Sequence, residues 1–219
     1  MTRKERYEKV LAYFRQEMPE VTTELDYGST FQLLVAVILS AQCTDKRVNQ
    51  VTPALFRDYP TAHDLANAED YEIFEYIKSV SYPNAKAKHL VAMAKMLVSS
   101  HGGDVPCDMN QLLELPGVGR KTANVMKAVA FGQSAMPVDT HVYRVSHRLK
   151  LVSATDNTPL KVEQRLSKHI PSAELSMAHH WLILHGRYVC TAKKPHCDKC
   201  GLREVCGMNV ERGTLSVER

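Results

Sequence analysis

Apolar positions recur at spacings of three and four along most of the chain, the period of an amphipathic helix. Tyr7, Val10, Leu11, Phe14 and Met18 form one such stripe, ended by Pro19. Ser29 or Thr30 can cap a second helix, Phe31 to about Ala41, which is apolar on nearly all sides and reads as a central buried helix. A third starts near Asp45 with Val48, Val51, Leu55 and Phe56, and Pro53 inside it should kink or break it. Further helices are predicted at 70–79, at 84–100 (stopped by Gly102-Gly103), and at 108–115, 121–130 and 141–149. Two more run from Pro159 to Ile170, behind the cap Thr158, and from Ala173 to His185, with Gly186 as a suitable stop. No segment alternates as a strand with hairpin turns. The pattern predicts an all-α chain of about ten helices.

Composition narrows the class. Hydrophobic residues are 44% and charged residues 24% of 219 positions, enough to bury one large core or two small ones. Met1 is followed by Thr2-Arg3-Lys4-Glu5-Arg6 with no apolar stretch behind, which reads against a secretory leader. The longest apolar run, Leu33–Leu39, is far short of a membrane span. The net charge of +4 is compatible with a nucleic-acid partner without arguing for one.

Six cysteines lie at 43, 107, 190, 197, 200 and 206, four of them within the last thirty residues, where periodicity fades and lysines gather. Such clustering points to a metal centre, not a disulfide framework. Cys190-x6-Cys197-x2-Cys200-x5-Cys206 can converge on one centre. A four-cysteine zinc site and an iron–sulfur cluster both satisfy the set. The single C-x2-C and the long spacers favour the larger cluster. Cys43 and Cys107 read as free thiols.

Leu115-Pro116-Gly117-Val118-Gly119-Arg120-Lys121 joins two predicted helices through a Pro-Gly-x-Gly turn, a helix-hairpin-helix. Its glycines allow a tight turn and close approach of a partner such as a DNA phosphate. A plain helix–helix turn satisfies the same pattern. Val138-Asp139-Thr140-His141 opens another helix, and Asp139 reads as its N-cap or as a carboxylate facing a cleft. His141, Arg144 and Arg148 add donors there. Between 112 and 150, six Lys/Arg positions face two acidic ones, a local excess equal to the net charge of the whole chain.

Together LPGVGRKTAN, VDTHVYRV, HHWLILHGRYVC with its cysteine loop, and TTELDYGSTFQLLVAVILSAQCTD resemble the endonuclease III family of helix-hairpin-helix DNA glycosylases. The similarity spans nearly the whole chain in order. It implies two helical domains: a six-helix domain at 25–133 carrying the hairpin, and a second from 1–24 plus 134–219 holding a 4Fe-4S cluster on Cys190, Cys197, Cys200 and Cys206. It also implies an active-site cleft between the two. The implied activity is excision of oxidised pyrimidines and cutting of the abasic strand. Lys121 falls on the nucleophilic lysine and Asp139 on the catalytic aspartate. Gln42 and Tyr82 fall on the residues that fill the gap left by a flipped base, and Asp45 on an acidic position lining the pocket. Gly117, Gly119, Arg120, His141 and Arg144 complete the implied DNA contacts. Ser81-Tyr82-Pro83 departs from the family's usual Gly-Leu-Tyr loop, and Pro83 stiffens it. The implied setting is a monomer acting on damaged double-stranded DNA at the nucleoid of a bacterial cytoplasm, with no membrane contact.

Two alternatives stay open: a monofunctional or dimer-specific glycosylase of the same superfamily, and a non-catalytic DNA-binding or redox module. Lys121 and Asp139 occurring together argue against the second. The chain's end at Arg219, soon after the cysteines, reads against the adenine-specific relatives, which carry a long further domain.

Overall fold

The structure, a computed structural model, describes residues 1–208. It contains eleven α-helices and no strand among the described residues. The chain divides into two compact units, Thr23–Pro137 and the combination of Met1–Thr22 with Val138–Arg219.

The unit of Thr23–Pro137 is built around α2 (Thr30–Ser40), whose residues Phe31 and Leu33 through Leu39 are all buried. Ser29 caps it, its Oγ accepting from the Gln32 amide at 3.2 Å. Around α2 stand α3 (Asp45–Asp58), α4 (Ala62–Ala66), α5 (Asp70–Ile77) and α6 (Pro83–His101), followed by α7 (Met109–Glu114) and α8 (Arg120–Val125). Each fully buried Leu here is worth roughly 1.5–3 kcal/mol of transfer free energy, and Leu34, Leu39, Leu55, Leu90 and Leu97 have no exposed surface. The long α6 stops at Gly102, whose φ of 63° is left-handed.

In the other unit α1 (Arg3–Glu17) opens on a capping box, Thr2 with Glu5. Its buried stripe Tyr7, Val10, Leu11 and Phe14 meets segments far along the chain. Phe14 stacks on Trp181 with centroids 5.8 Å apart, and Trp181 Nε1 donates to the Met18 carbonyl at 2.7 Å. The Tyr7 hydroxyl donates to the Leu151 carbonyl, and the Arg6 guanidinium to that of Val205. The remaining helices are α9 (Thr140–Arg148), α10 (Pro159–His169) and α11 (Leu175–Tyr188).

Two local expectations are corrected, and one helix lay outside the predicted set. Gly186 does not stop its helix, for α11 runs on to Tyr188. A β-carbon on Gly186 would meet His141 Cβ at 2.9 Å, so the glycine serves close packing of α11 on α9. Pro53 does not break α3, which is continuous from Asp45 to Asp58. Pro53 is exposed, so the carbonyl it leaves unpaired one turn earlier can take water. The short α4 escapes the periodicity because only Ala62 and Leu65 of its five residues are buried. Its Thr61–Asp64 capping box was the legible signal.

Candidate functional site

The hairpin is α7, the turn 115–119, and α8. Leu112, Leu115, Val118 and Ala123 are buried and seat it on the unit's core. The Val118 amide closes the turn on the Leu115 carbonyl at 3.0 Å. Its two glycines do different work. Gly117 has φ +81°, open to glycine alone at no cost, and a β-carbon there would lie 3.0 Å from His89 Cβ. Gly119 has an ordinary φ of −94°, and a β-carbon on it would meet nothing within 4 Å. Among the described residues nothing requires glycine at 119. Arg120 and Lys121 follow, both exposed. No hydrogen bond or ion pair holds the Lys121 amine among the described residues. After α8 the helix widens into a π turn, Met126–Ala130, a local distortion common near functional sites.

Gln42 and Tyr82 share an unusual backbone: each has φ 55° without being glycine. Such a conformation costs about 1–3 kcal/mol and persists only where neighbouring groups enforce it. Tyr82 precedes Pro83, the first residue of α6, and is 66% exposed. The Ser81 hydroxyl donates to the Gln42 carbonyl at 2.6 Å, joining the two turns. Asp45 sits in the first turn of α3, where a carboxylate offsets the helix dipole.

Asp139 is the N-cap of α9. Its Oδ1 accepts from the Val142 amide at 2.8 Å, leaving the second carboxylate oxygen outside the cap. Capping by one oxygen therefore leaves the other available for chemistry. Arg144, one turn on, turns inward. It donates to the carbonyls of Gly186 at 2.9 Å and Cys190 at 3.2 Å, with His141 Nδ1 at 3.3 Å. Burial lowers its pKa from the ordinary value, with neighbouring Arg148 adding to the effect. These bonds tie α9 to the end of α11 from within the unit. His141 is half-buried at the same place.

Cys190, Cys197, Cys200 and Cys206 all line one cavity of about 440 Å³, together with His185, Val189 and Leu149. Burial pushes the Cys200 thiol up, and the other three sulfurs add to it. Among the described residues no three His, Cys, Asp or Glu side chains are close enough to share a single metal ion. Four thiols around a space of this size fit a polyatomic cluster better than one ion. Arg148 braces the rim, donating to the Cys190 sulfur at 3.4 Å and to the Thr191 and Ala192 carbonyls at 2.7 and 2.9 Å. His185 Nε2 stands 3.7 Å from Cys200 Sγ. Burial holds the His185 pKa down at about 4, so the ring is neutral.

Residues 35–172 match the HhH-GPD superfamily, a group of base excision DNA repair proteins. Endonuclease III of Rickettsia conorii is 48% identical over 198 residues, 90% of this chain and 93% of that one. This chain belongs to the HhH-GPD superfamily. Endonuclease III of Synechocystis sp. is 47% identical over 206 residues, 94% of this chain and 93% of its own. A solved trapped endonuclease III–DNA covalent intermediate, an estranged-adenine complex, superposes with a TM-score of 0.89 at 43% identity, covering 94% of this chain and 97% of that one. These HhH-GPD relatives support a DNA glycosylase of base excision repair.

Within this HhH-GPD chain the structure brings the four cysteines together around one cavity and joins Gln42 to the Tyr82 loop. It also reveals residues that the pattern did not single out. His185 lines the cysteine cavity at 3% exposure. Lys86, a lysine inside an amphipathic helix, is 6% exposed. The only sequence signal for it was its place on the apolar stripe with Leu90 and Met93.

Proposed function

We propose that this chain is a bifunctional DNA glycosylase and abasic-site lyase that excises oxidised pyrimidines from duplex DNA. The observation that carries the proposal is Lys121, exposed and untied directly behind a glycine turn whose second glycine faces open space. A relative 43% identical has been trapped covalently on DNA, which supports an amine nucleophile here as well.

The chemistry needs two groups. The neutral Lys121 amine attacks C1′ of the damaged nucleotide, and the C1′–base bond breaks with its electron pair leaving on the base. Positive charge develops on the sugar as the bond stretches. The Asp139 carboxylate stabilises that charge or takes the proton from the attacking amine. Ring opening gives a protonated Schiff base at C1′. Loss of a C2′ proton then expels the 3′ phosphate with the electrons of the C3′–O bond, cutting the strand. Gly117 and Gly119 present backbone to a phosphate without reading base identity, and Arg120 adds charge. Gln42 and Tyr82 fill the gap left by the extruded nucleotide, and Asp45 lines the pocket.

The four cysteines would hold a 4Fe-4S cluster, which supplies a rigid core to a loop with little apolar content. Lys193, Lys194, Lys199 and Arg203 on that loop are exposed and available to DNA phosphates once the loop is fixed. On this reading the protein works as a monomer on damaged duplex DNA in the bacterial nucleoid. No helix among the described residues is long and apolar enough to cross a membrane.

Excision and strand cutting measured side by side on duplexes bearing an oxidised pyrimidine, a mismatched thymine or adenine, a pyrimidine dimer or an abasic site test this assignment. Release of the oxidised pyrimidine with a β-elimination product is expected. Release of a base without strand cutting would replace the proposal with a monofunctional glycosylase.

A further inference from the structure

Left-handed backbone at Gln42 and Tyr82 must be enforced by contacts, and those contacts are visible. Lys86 lies in the first turns of α6 and reaches across to the end of α2. Its Nζ donates to the carbonyl of Leu39 at 2.8 Å and to that of Ala41, the residue before Gln42, at 2.7 Å. The next carbonyl, of Gln42 itself, is taken by the Ser81 hydroxyl at 2.6 Å. Successive carbonyls of one turn are thus clamped from α6 and from the loop that carries Tyr82.

An amine is an expensive way to fill a buried position, since an aliphatic side chain packs there without desolvating a charge. Its partners are backbone carbonyls at the C-terminal end of α2, where the helix dipole favours a cation. Burial pushes the Lys86 pKa below its ordinary value, with the nearby Cys43 thiol pulling the other way. The lysine is therefore explained by what it holds, not by the core it fills.

We propose that Lys86 and Ser81 are positioning residues that preset the Gln42 turn for entry into damaged DNA and tie it to the Tyr82 loop, so that the two gap-filling elements enter as one rigid unit. This rests on the reading of Gln42 as a residue that enters the duplex.

The test uses the full-length protein with Lys86→Met, which keeps length and apolar volume, and Ser81→Ala, which removes one hydroxyl at a half-exposed site. Two quantities are measured. The first is hydrogen exchange at the Ala41 and Cys43 amides, which bond to the Ile38 and Ser40 carbonyls. The second is the preference for a duplex with a stable abasic-site analogue over an undamaged duplex. Each variant is expected to raise exchange at those two amides about tenfold while the α2 core amides stay protected, and to lower the preference about tenfold, a coupling ordinary for touching residues. In a Gln42→Ala background neither variant should lower the preference further. Unchanged exchange in both variants overturns the clamp. Additive losses with Gln42→Ala overturn the link through Gln42. A Gln42→Ala protein that keeps its full preference overturns the underlying reading instead. Ser81→Ala carries the comparison alone if Lys86→Met does not fold.

Discussion

Gly186 lies so close to α9 that a β-carbon on it would stand 2.9 Å from His141 Cβ and 3.1 Å from Val145 Cγ2. Both contacts are side chains of a packed helix, so α9 must give way if Gly186 acquires a side chain. Asp139 caps that same helix. Gly186→Ala is therefore expected to cost about 1–3 kcal/mol, the usual range for overpacking, and to slow base excision more than it weakens DNA binding. Thermal unfolding and single-turnover excision check this. A variant with wild-type melting and wild-type excision would contradict the packing account.

The two hairpin glycines should fail differently. Gly119→Val meets open space at an ordinary φ, so the fold should hold while affinity for any duplex drops by about tenfold, with a shallower salt dependence. Gly117→Val forces a branched residue to φ +81° and against His89, so it should lower stability as well. Binding titrations on several duplex sequences at two salt concentrations, with a melting control, separate them. A loss confined to one base context would refute the phosphate role.

These contrasts mark what is legible in the sequence. The stripes at Tyr7–Met18 and the run Leu33–Leu39 gave their helices because burial there follows chain spacing. The stop expected at Gly186 fails, and of the kink or break expected at Pro53 the break fails, for a shared reason. Local propensity sees the residue and not its environment, and at Gly186 the partner residues His141 and Val145, far back along the chain, decide. The inward turn of Arg144 and the burial of Lys86 were equally out of reach, since their partners are backbone carbonyls at 186, 190, 39 and 41. Backbone acceptors leave no mark in a side-chain pattern.

The cysteine cavity predicts that the purified protein is brown and holds about four irons per chain. Replacing Cys197 or Cys200 by Ser should cost solubility or DNA binding more than chemistry at a preformed abasic site, because the basic loop loses its anchor. Metal analysis and absorption spectra decide it. One zinc and no iron would contradict the cluster.

Acid should weaken one unit through Asp156. Arg165 bonds its carboxylate at 3.1 and 3.3 Å and the Ser153 amide at 2.8 Å. The Arg165 bonds first, then the Ser153 amide, hold its pKa below the ordinary value. A depressed carboxylate stabilises the fold above its unfolded pKa of about 4 and loses that contribution as pH falls through the folded value. Asp156→Asn should cost about 1–3 kcal/mol at neutral pH. It should also flatten the loss of stability on acidification, read from denaturant melts across the acid range. An equally steep acid loss in the variant would refute the assignment.

Asp139→Asn separates capping from chemistry. Asn caps about as well as Asp, so folding should be nearly unchanged. Excision should fall roughly 10²- to 10³-fold through loss of a charge facing the developing cation. Reaction at a preformed abasic site should persist in part, because no base has to leave. Circular dichroism with parallel assays on lesion-bearing and abasic duplexes tests this, and equal losses on both substrates would contradict it.

On the proposed mechanism the amine of Lys121 bonds to C1′. Borohydride reduction on an abasic duplex converts that Schiff base into a stable adduct, visible as a shifted band on a denaturing gel. The wild-type protein should be trapped, and Lys121→Gln should give no adduct and almost no strand cutting while still binding damaged duplex through the hairpin. An adduct formed by Lys121→Gln at wild-type yield would place the nucleophile elsewhere and contradict the account.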